Sequence, residues 1–477
     1  MESRPIWQWS AVETAAAIRS GRASAVEVAT AHVDRLHAAN PALNAVVVDM
    51  TDLALAAAAA ADRRQASGAE LDRLHGVPVT LKINVDVEGQ ANSNGVVAFA
   101  NNIAPADSPV AANLRGAGAI ILGLTNTPEF SFRGFTDNAL HGLTLNPWDP
   151  KITAGGSSGG AAASLAAGIG AIAHGNDIGG SLRAPANWNG LVTIKPTQGR
   201  IPAYNPSAAV ERPPMAQLMS CQGPLTRDVA DARLALEIMS RRDIRDPWWV
   251  PAPLLPAGSA GPVKVAVAKA PPDMRPDPEV LAVIDEATRH LADAGYDIVD
   301  VDIPDIAAPW KLWADLLATE IATLQEAQMR PVSSPDFIRA LDGMLRMGTI
   351  LDAEGYMKAV AQRSRVLREW LVFLERYPLI LAPVSVKLTP GVNADLDGDD
   401  AVGEFLGHDT RFTAALSVLG LPVAVAPVGL VGGHPVGVQL VASRYREDIC
   451  LDAAQAIEDR VGVLTRRLWA REAVSAG

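Results

Sequence analysis

An α/β sheet protein is the fold class this sequence predicts, and two observations predict it. From residue 75 onward, short apolar runs of strand length alternate with longer segments of helical character, the pattern of buried strands separated by helices. The composition supplies the core such a sheet needs: 49% of the 477 residues are hydrophobic and 20% are charged, which excludes a disordered chain. A chain of this length buries over ~70% of its unfolded surface and needs no covalent staples. At ~150 residues per domain its length allows about three domains, although one large α/β domain also reaches this size.

Helical signals dominate the first 70 residues. Ser10-Ala11-Val12-Glu13 and Ser24-Ala25-Val26-Glu27 both have the S-x-x-E form of a capping box. Gly21 is expected to stop the first helix and Asn40-Pro41 the second. Thr51 is placed to cap a third, alanine-rich helix ending before Gly68. Residues 77–81 and 119–122 then read as strands. The stretch 140–200, rich in Gly, Ser, Ala and Asn, has the composition of a linker, but its apolar runs at 161–167 and 169–173 argue against one. A better boundary is the Pro-rich stretch 248–262, with Pro251, Pro253, Pro256 and Pro262. Beyond it, strands are expected at 263–267 and 298–303 around a helix near 278–294. Long helices are expected at 308–330 and 352–376, strands at 379–382, 423–428 and 436–441, and a last helix at 447–460.

Several function classes drop out on composition. A net charge of −12 and no Lys/Arg run argue against a nucleic-acid partner. Two cysteines, Cys221 and Cys450, form no disulfide framework, so a reducing, cytoplasmic setting is expected. The amino terminus lacks the basic-then-apolar layout of a signal peptide. The longest apolar stretch, 53–61, is far short of the ~20 residues that span a bilayer, so no membrane association is expected. The eight histidines are scattered and form no zinc-like grouping. No Gly-Lys-Ser/Thr follows the glycine-rich loop, so it is not a nucleotide-binding P-loop. No metal or cofactor is implied.

Three features carry chemistry. Gly155-Gly156-Ser157-Ser158-Gly159-Gly160 precedes an alanine-rich helix. Asn176-Asp177-Ile178-Gly179-Gly180-Ser181 places its serine 24 residues after Ser157, and Lys82, flanked by Leu81 and Ile83, lies 75 residues before Ser157. A serine hydroxyl needs a base to become a nucleophile. A lysine serves if burial keeps it neutral, and the apolar neighbours of Lys82 provide that setting. Taken alone, such a lysine is more commonly a stem covering apolar surface. Glycines before a serine let backbone N–H groups converge on an oxyanion, which Ile178, Gly179 and Gly180 are placed to do. A Gly-Gly pair by itself marks only a tight turn.

Together these features resemble the amidase signature family. The resemblance is dense over 74–202: His75-Gly76-Val77-Pro78-Val79, 123–128, Asn146-Pro147-Trp148, 155–160, 175–185 and Ile194-Lys195-Pro196-Thr197-Gln198-Gly199-Arg200. It continues more weakly at 19–46, 379–383 and 420–448. It implies a single α/β/α domain over 1–477 with a mixed, twisted sheet of about eleven strands, the Pro-rich stretch then being an excursion. It implies a Ser-Ser(cis)-Lys triad, with Ser181 the nucleophile, Ser157 the bridging serine after a cis peptide, and Lys82 the base. Gly156, Ser158, Asp177 and Arg183 would support the site structurally, the last two paired across the nucleophile turn.

The expected activity is hydrolysis of a neutral, hydrophobic or aryl amide, with carbamates or esters as further substrates. A small-molecule substrate is the implied partner, and a homodimer is left open. The chain departs from the family pattern at Ile83, where an acidic residue is common, and at Asn176 and Ile178, where threonines are. These departures, beside relatives that serve as glutamine-hydrolysing subunits of tRNA-dependent amidotransferases, keep two other readings in view: such a subunit, or a silent binding protein. Gly155-x-Ser157-x-Gly159 also fits a nucleophile elbow. That motif needs a preceding strand, which Pro147 and Pro150 oppose, and a histidine, for which His290, His408 and His434 are available.

Overall fold

The computed structural model describes residues 4–258, 263–268, 270–271 and 273–475. Residues 1–3 of the amino terminus and 259–262 of the Pro-rich stretch, Pro262 included, lie outside the described residues. Eleven strands form one sheet: β1 (Val46–Asp49), β2 (Pro78–Lys82), β3 (Ile120–Thr125), β4 (Ile172–Asp177), β5 (Val192–Lys195), β6 (Cys221–Thr226), β7 (Lys264–Val267), β8 (Asp297–Val299), β9 (Leu379–Pro383), β10 (Val423–Val431) and β11 (His434–Ala442). Their order is β1-β3-β2-β4-β6-β5-β10-β11-β9-β7-β8. β2 runs parallel to β3 and β4, and β7 parallel to β8 and β9; the remaining pairs are antiparallel. The mixed eleven-stranded α/β architecture is the one the resemblance implied.

The strands are apolar on both faces because helices cover both. In β9, Leu379 and Leu381 point into one core with helices Val229–Met239, Pro278–Asp293 and Glu447–Val461. Ile380 and Ala382, one residue out of phase, join the other core with helices Ala307–Glu320, Ala353–Arg376 and Arg411–Leu419. The period of two thus divides one strand between two layers.

Both capping boxes form: Ser10 and Glu13, and Ser24 and Glu27, exchange side-chain-to-backbone bonds of 2.7–3.1 Å. Other local expectations are corrected. Asn40-Pro41 does not end the second helix, which runs to Leu43. Pro41 forfeits only one bond near the helix end, and Asn44 closes the helix in a left-handed conformation. Thr51 is the first helical residue rather than the cap, and its N–H bonds Asp49 at 2.8 Å. The strand expected at 298–303 is only Asp297–Val299. The helix expected over 308–330 contains a π segment at Ile321–Gln325. Helices Pro335–Met347 and Arg411–Leu419 were not among the expected elements, although Ser334 and Pro335 open the first and Gly420 closes the second, and Thr465–Ser475 follows the helix expected to be last. Among the described residues no helix is long and apolar enough to cross a membrane.

One buried ion pair ties the middle of the sheet to the second layer. Asp177, at the end of β4, accepts from Arg183 Nε at 3.0 Å and Nη2 at 2.9 Å, and neither side chain reaches solvent. Arg183 also donates to the Thr413 carbonyl at 2.7 Å and the Ser417 hydroxyl at 2.8 Å on helix Arg411–Leu419. Burial alone would raise the Asp177 carboxyl, but the guanidinium and backbone donors outweigh it and hold it at about 2, below its ordinary 3.8. Because the folded-state value is depressed, the pair's contribution is complete above pH ~4 and is lost as pH falls towards 2. Arg183→Met leaves an uncompensated buried carboxylate and should cost about 3–5 kcal/mol at pH 7. Urea unfolding should show a gap between mutant and wild type that narrows as pH drops below 4.

Candidate active site

The parallel pairing of β2 with β4 (Val79 opposite Ile172, Thr80 opposite Ala173) brings their carboxyl ends to one edge of the sheet. Such an edge is where open α/β sheets place ligands. Lys82 ends β2, and Asn176 and Asp177 end β4. The loop before helix Gly159–Ala166 delivers Ser157 and Ser158 to the same place. The Gly156–Ser157 peptide is cis. Gly156 is needed there because a Cβ would sit 2.5 Å from the Phe135 nitrogen.

Lys82 Nζ lies 2.7 Å from Ser157 Oγ, 2.8 Å from Asn176 Oδ1 and 3.2 Å from Ser158 Oγ. The lysine is fully buried and has no carboxylate in contact. Burial pushes its ammonium well below the ordinary 10.5, against a smaller opposing pull from Asp177. Ser181 and Ser157 face the same cavity, while the Ser181 hydroxyl bonds none of the described residues.

The turn between Asp177 and Arg183 is clamped from distant parts of the chain. Trp313 Nε1 donates to the Ile178 carbonyl at 2.8 Å, and Thr413 Oγ1 to the Gly179 carbonyl at 2.8 Å. The Gly180 N–H is committed to Asp177 Oδ1 at 2.8 Å. Gly180 has φ 127, and a Cβ there would lie 2.6 Å from Thr413 Oγ1. The N–H groups of Ile178, Gly179 and Ser181 have no acceptor among the described residues. So of the three residues expected to offer oxyanion donors, Gly180 serves the turn instead.

A cavity of about 590 Å³ opens over Ser157, Asn176 and Ser181, with Phe130, Phe132, Ile178, Tyr204 and Trp248 in its walls. Phe132, Ile178 and Ser181 also border a smaller space of about 40 Å³ backed by Trp313, Leu317 and Phe405. Neither cavity is lined by a histidine, so the nucleophile-elbow reading lacks its base. His290 pairs with Glu286 and His434 with Asp149. Glu404, His408 and Asp409 are the one group among the described residues with metal-ligand spacing. His408 Nε2 accepts from the Arg275 N–H at 3.0 Å and Nδ1 faces Asp409 at 2.9 Å, so both ring nitrogens are already used.

Sequence reasoning placed Lys82, Ser157, Ser158, Asp177 and Arg183 together, and they are together. It missed Trp313, Thr413 and Ser417, which lie more than 100 residues from the turn they hold, and no local signal marks them. Asn176 was in view only as a departure from pattern; its contact with Lys82 was not.

The Amidase family model matches residues 27–451. An indoleacetamide hydrolase of Bradyrhizobium diazoefficiens is 59% identical over 465 residues, covering 98% of this chain and 89% of that one. An acylamidase of Rhodococcus erythropolis is 34% identical, covering 94% of each chain. Among solved structures, a bacterial aryl acylamidase of the amidase signature family superposes with a TM-score of 0.83 at 27% identity over 98% of both chains. The silent-binding-protein reading is thereby set aside: the chain belongs to the amidase signature family and is an amidase, a hydrolase of amide bonds.

Proposed function

We propose that the enzyme hydrolyses a neutral amide with an aromatic acyl group, of the arylacetamide kind, through an acyl-enzyme on Ser181. The observation that carries the mechanism is the 2.7 Å contact between the fully buried Lys82 and Ser157. Neutral Lys82 takes the Ser157 proton as Ser157 takes that of Ser181. Ser181 Oγ then attacks the substrate carbonyl. The N–H groups of Ile178, Gly179 and Ser181 receive the negative oxygen. The proton returns through Ser157 to the amide nitrogen, the C–N bond breaks, and the amine leaves. Water enters by the reverse route and releases the acid. Hydrogen bonds of free enzymes are often long and tighten only in the substrate complex, which suits the unengaged Ser181 hydroxyl.

The substrate class rests on two supports. The relative at 59% identity bears the name indoleacetamide hydrolase. The cavity above Ser181 has aromatic walls in Phe130, Phe132, Tyr204 and Trp248, suited to a planar ring. Carbamates and esters of similar shape fit the same chemistry as secondary substrates.

Four measurements test this reading. Purified protein should release ammonia from indole-3-acetamide faster than from short aliphatic amides; the opposite order would refute the aromatic preference. After treatment with a fluorophosphonate, mass mapping should find the label on Ser181, and a label on Ser157 that survives Ser181→Ala would move the nucleophile. Because only neutral Lys82 can accept a proton, kcat/KM should rise as pH passes upward through its lowered pKa. Lys82→Arg, which keeps the charge but cannot give up its proton, should lose roughly 10²–10⁴ in kcat. Retention of activity in that variant would make Lys82 a fixed charge rather than the base.

A further inference from the structure

A neutral amine has two N–H bonds and one lone pair, so it accepts a proton along one direction only. Lys82 Nζ has three polar neighbours. Asn176 Oδ1 can only accept, and it lies 2.8 Å away. The Ser158 hydroxyl gives its hydrogen to the main-chain carbonyl of Asn176 at 3.3 Å, so its oxygen faces Lys82 as an acceptor at 3.2 Å. These two take both N–H bonds. The lone pair is left with Ser157, at 2.7 Å.

The Asn176 amide is itself held. Its Nδ2 donates to Asn84 Oδ1 at 2.9 Å, Asn84 Nδ2 donates to Ser131 Oγ at 2.9 Å, and Ser131 donates to Asn94 Oδ1 at 2.7 Å. Ser131 and Asn94 both have left-handed backbones, with φ 62 and 46, a conformation that persists where the surroundings enforce it. Ile83, buried beside Lys82, offers no polar group that could do the aiming.

We propose that Asn176 is a positioning residue whose amide oxygen aims the lone pair of Lys82 at Ser157. The inference rests on the reading of Lys82 as the base. An uncharged acceptor suits the task because it orients the amine without stabilising the ammonium, as a carboxylate would. The charged and titratable groups near Lys82 are few. On β4, Asp177 is paired with Arg183, with Lys195 nearby. His174, also on β4, is buried, held at about 4 by burial and bonded to Gln222 at 2.8 Å, so it is neutral near pH 7. Thr80 on β2, Thr125 on β3, and the glycines and alanines of helix Gly159–Ala166 carry no charge.

The test is a pair of variants in the full-length protein, assayed across pH beside wild type and Lys82→Arg. Asn176→Asp is nearly isosteric and puts a carboxylate against Lys82, so the acidic limb of the kcat/KM profile should move about one unit or more to higher pH. That shift is read from profile shape and does not depend on the fraction of folded protein. Asn176→Ala should lose ~10- to 100-fold in kcat, the scale of a misaligned reacting group, with KM within about two-fold. A profile unmoved in Asn176→Asp, or a loss in Asn176→Ala confined to KM, overturns the inference. An active Lys82→Arg would instead overturn the reading of the base, so the two failures are separable.

Discussion

An amine proposed to act uncharged inside a protein constrains everything placed near it. Lys82 sits at the end of a strand whose five residues are all buried, and its polar neighbours are two hydroxyls and one amide oxygen. A carboxylate in contact would have stabilised the ammonium and removed the lone pair. The nearest one, Asp177, is adjacent in sequence to Asn176 but spends its charge on Arg183. The ion pair therefore anchors the turn, and the pull that Asp177 exerts on the lysine stays smaller than the effect of burial.

The same pair explains how a turn rich in glycine holds its shape. Residues 178–181 have few side-chain atoms to pack, and a Gly-Gly step is conformationally permissive. Order comes from outside the turn. Asp177 takes the N–H groups of Gly180 and Leu182, while Trp313 and Thr413 take the carbonyls of Ile178 and Gly179. The bond to the Ile178 carbonyl fixes the peptide plane it shares with the Gly179 N–H, and the Ala184 N–H, donating to the Gly180 carbonyl at 2.8 Å, fixes the plane of the Ser181 N–H. Preorganised donors of this kind need no reorganisation during reaction.

The substrate space follows from the same construction. The turn forms one wall of the main cavity and, through Ile178 and Phe132, separates it from the smaller apolar space next to Trp313. Trp313 therefore both bonds the turn and shapes what lies behind it. Phe130 packs at 5.3 Å from Phe337 and 5.9 Å from Phe99, so the aromatic wall is braced by rings from separate elements.

Much of this was legible in the sequence, where the determinants are local. Capping boxes act within four residues, and both formed as read. Runs of apolar residues marked β2, β3, β9, β10 and β11 because a strand buried on both faces is apolar at most of its positions. The glycine–serine segments identified Ser157 and Ser181, since close backbone approach and a tight turn demand small residues there. What the sequence could not determine depends on which distant groups meet. The hold of Trp313, Thr413 and Ser417 on the turn 177–183 spans over 100 residues and leaves no local pattern. The commitment of the Gly180 N–H to Asp177 is a matter of orientation, invisible in composition. Asn176 stood out in the sequence only as an unusual residue. Its 2.8 Å contact with Lys82 exists because parallel pairing sets the ends of β2 and β4 side by side, and strand pairing is decided by the whole sheet.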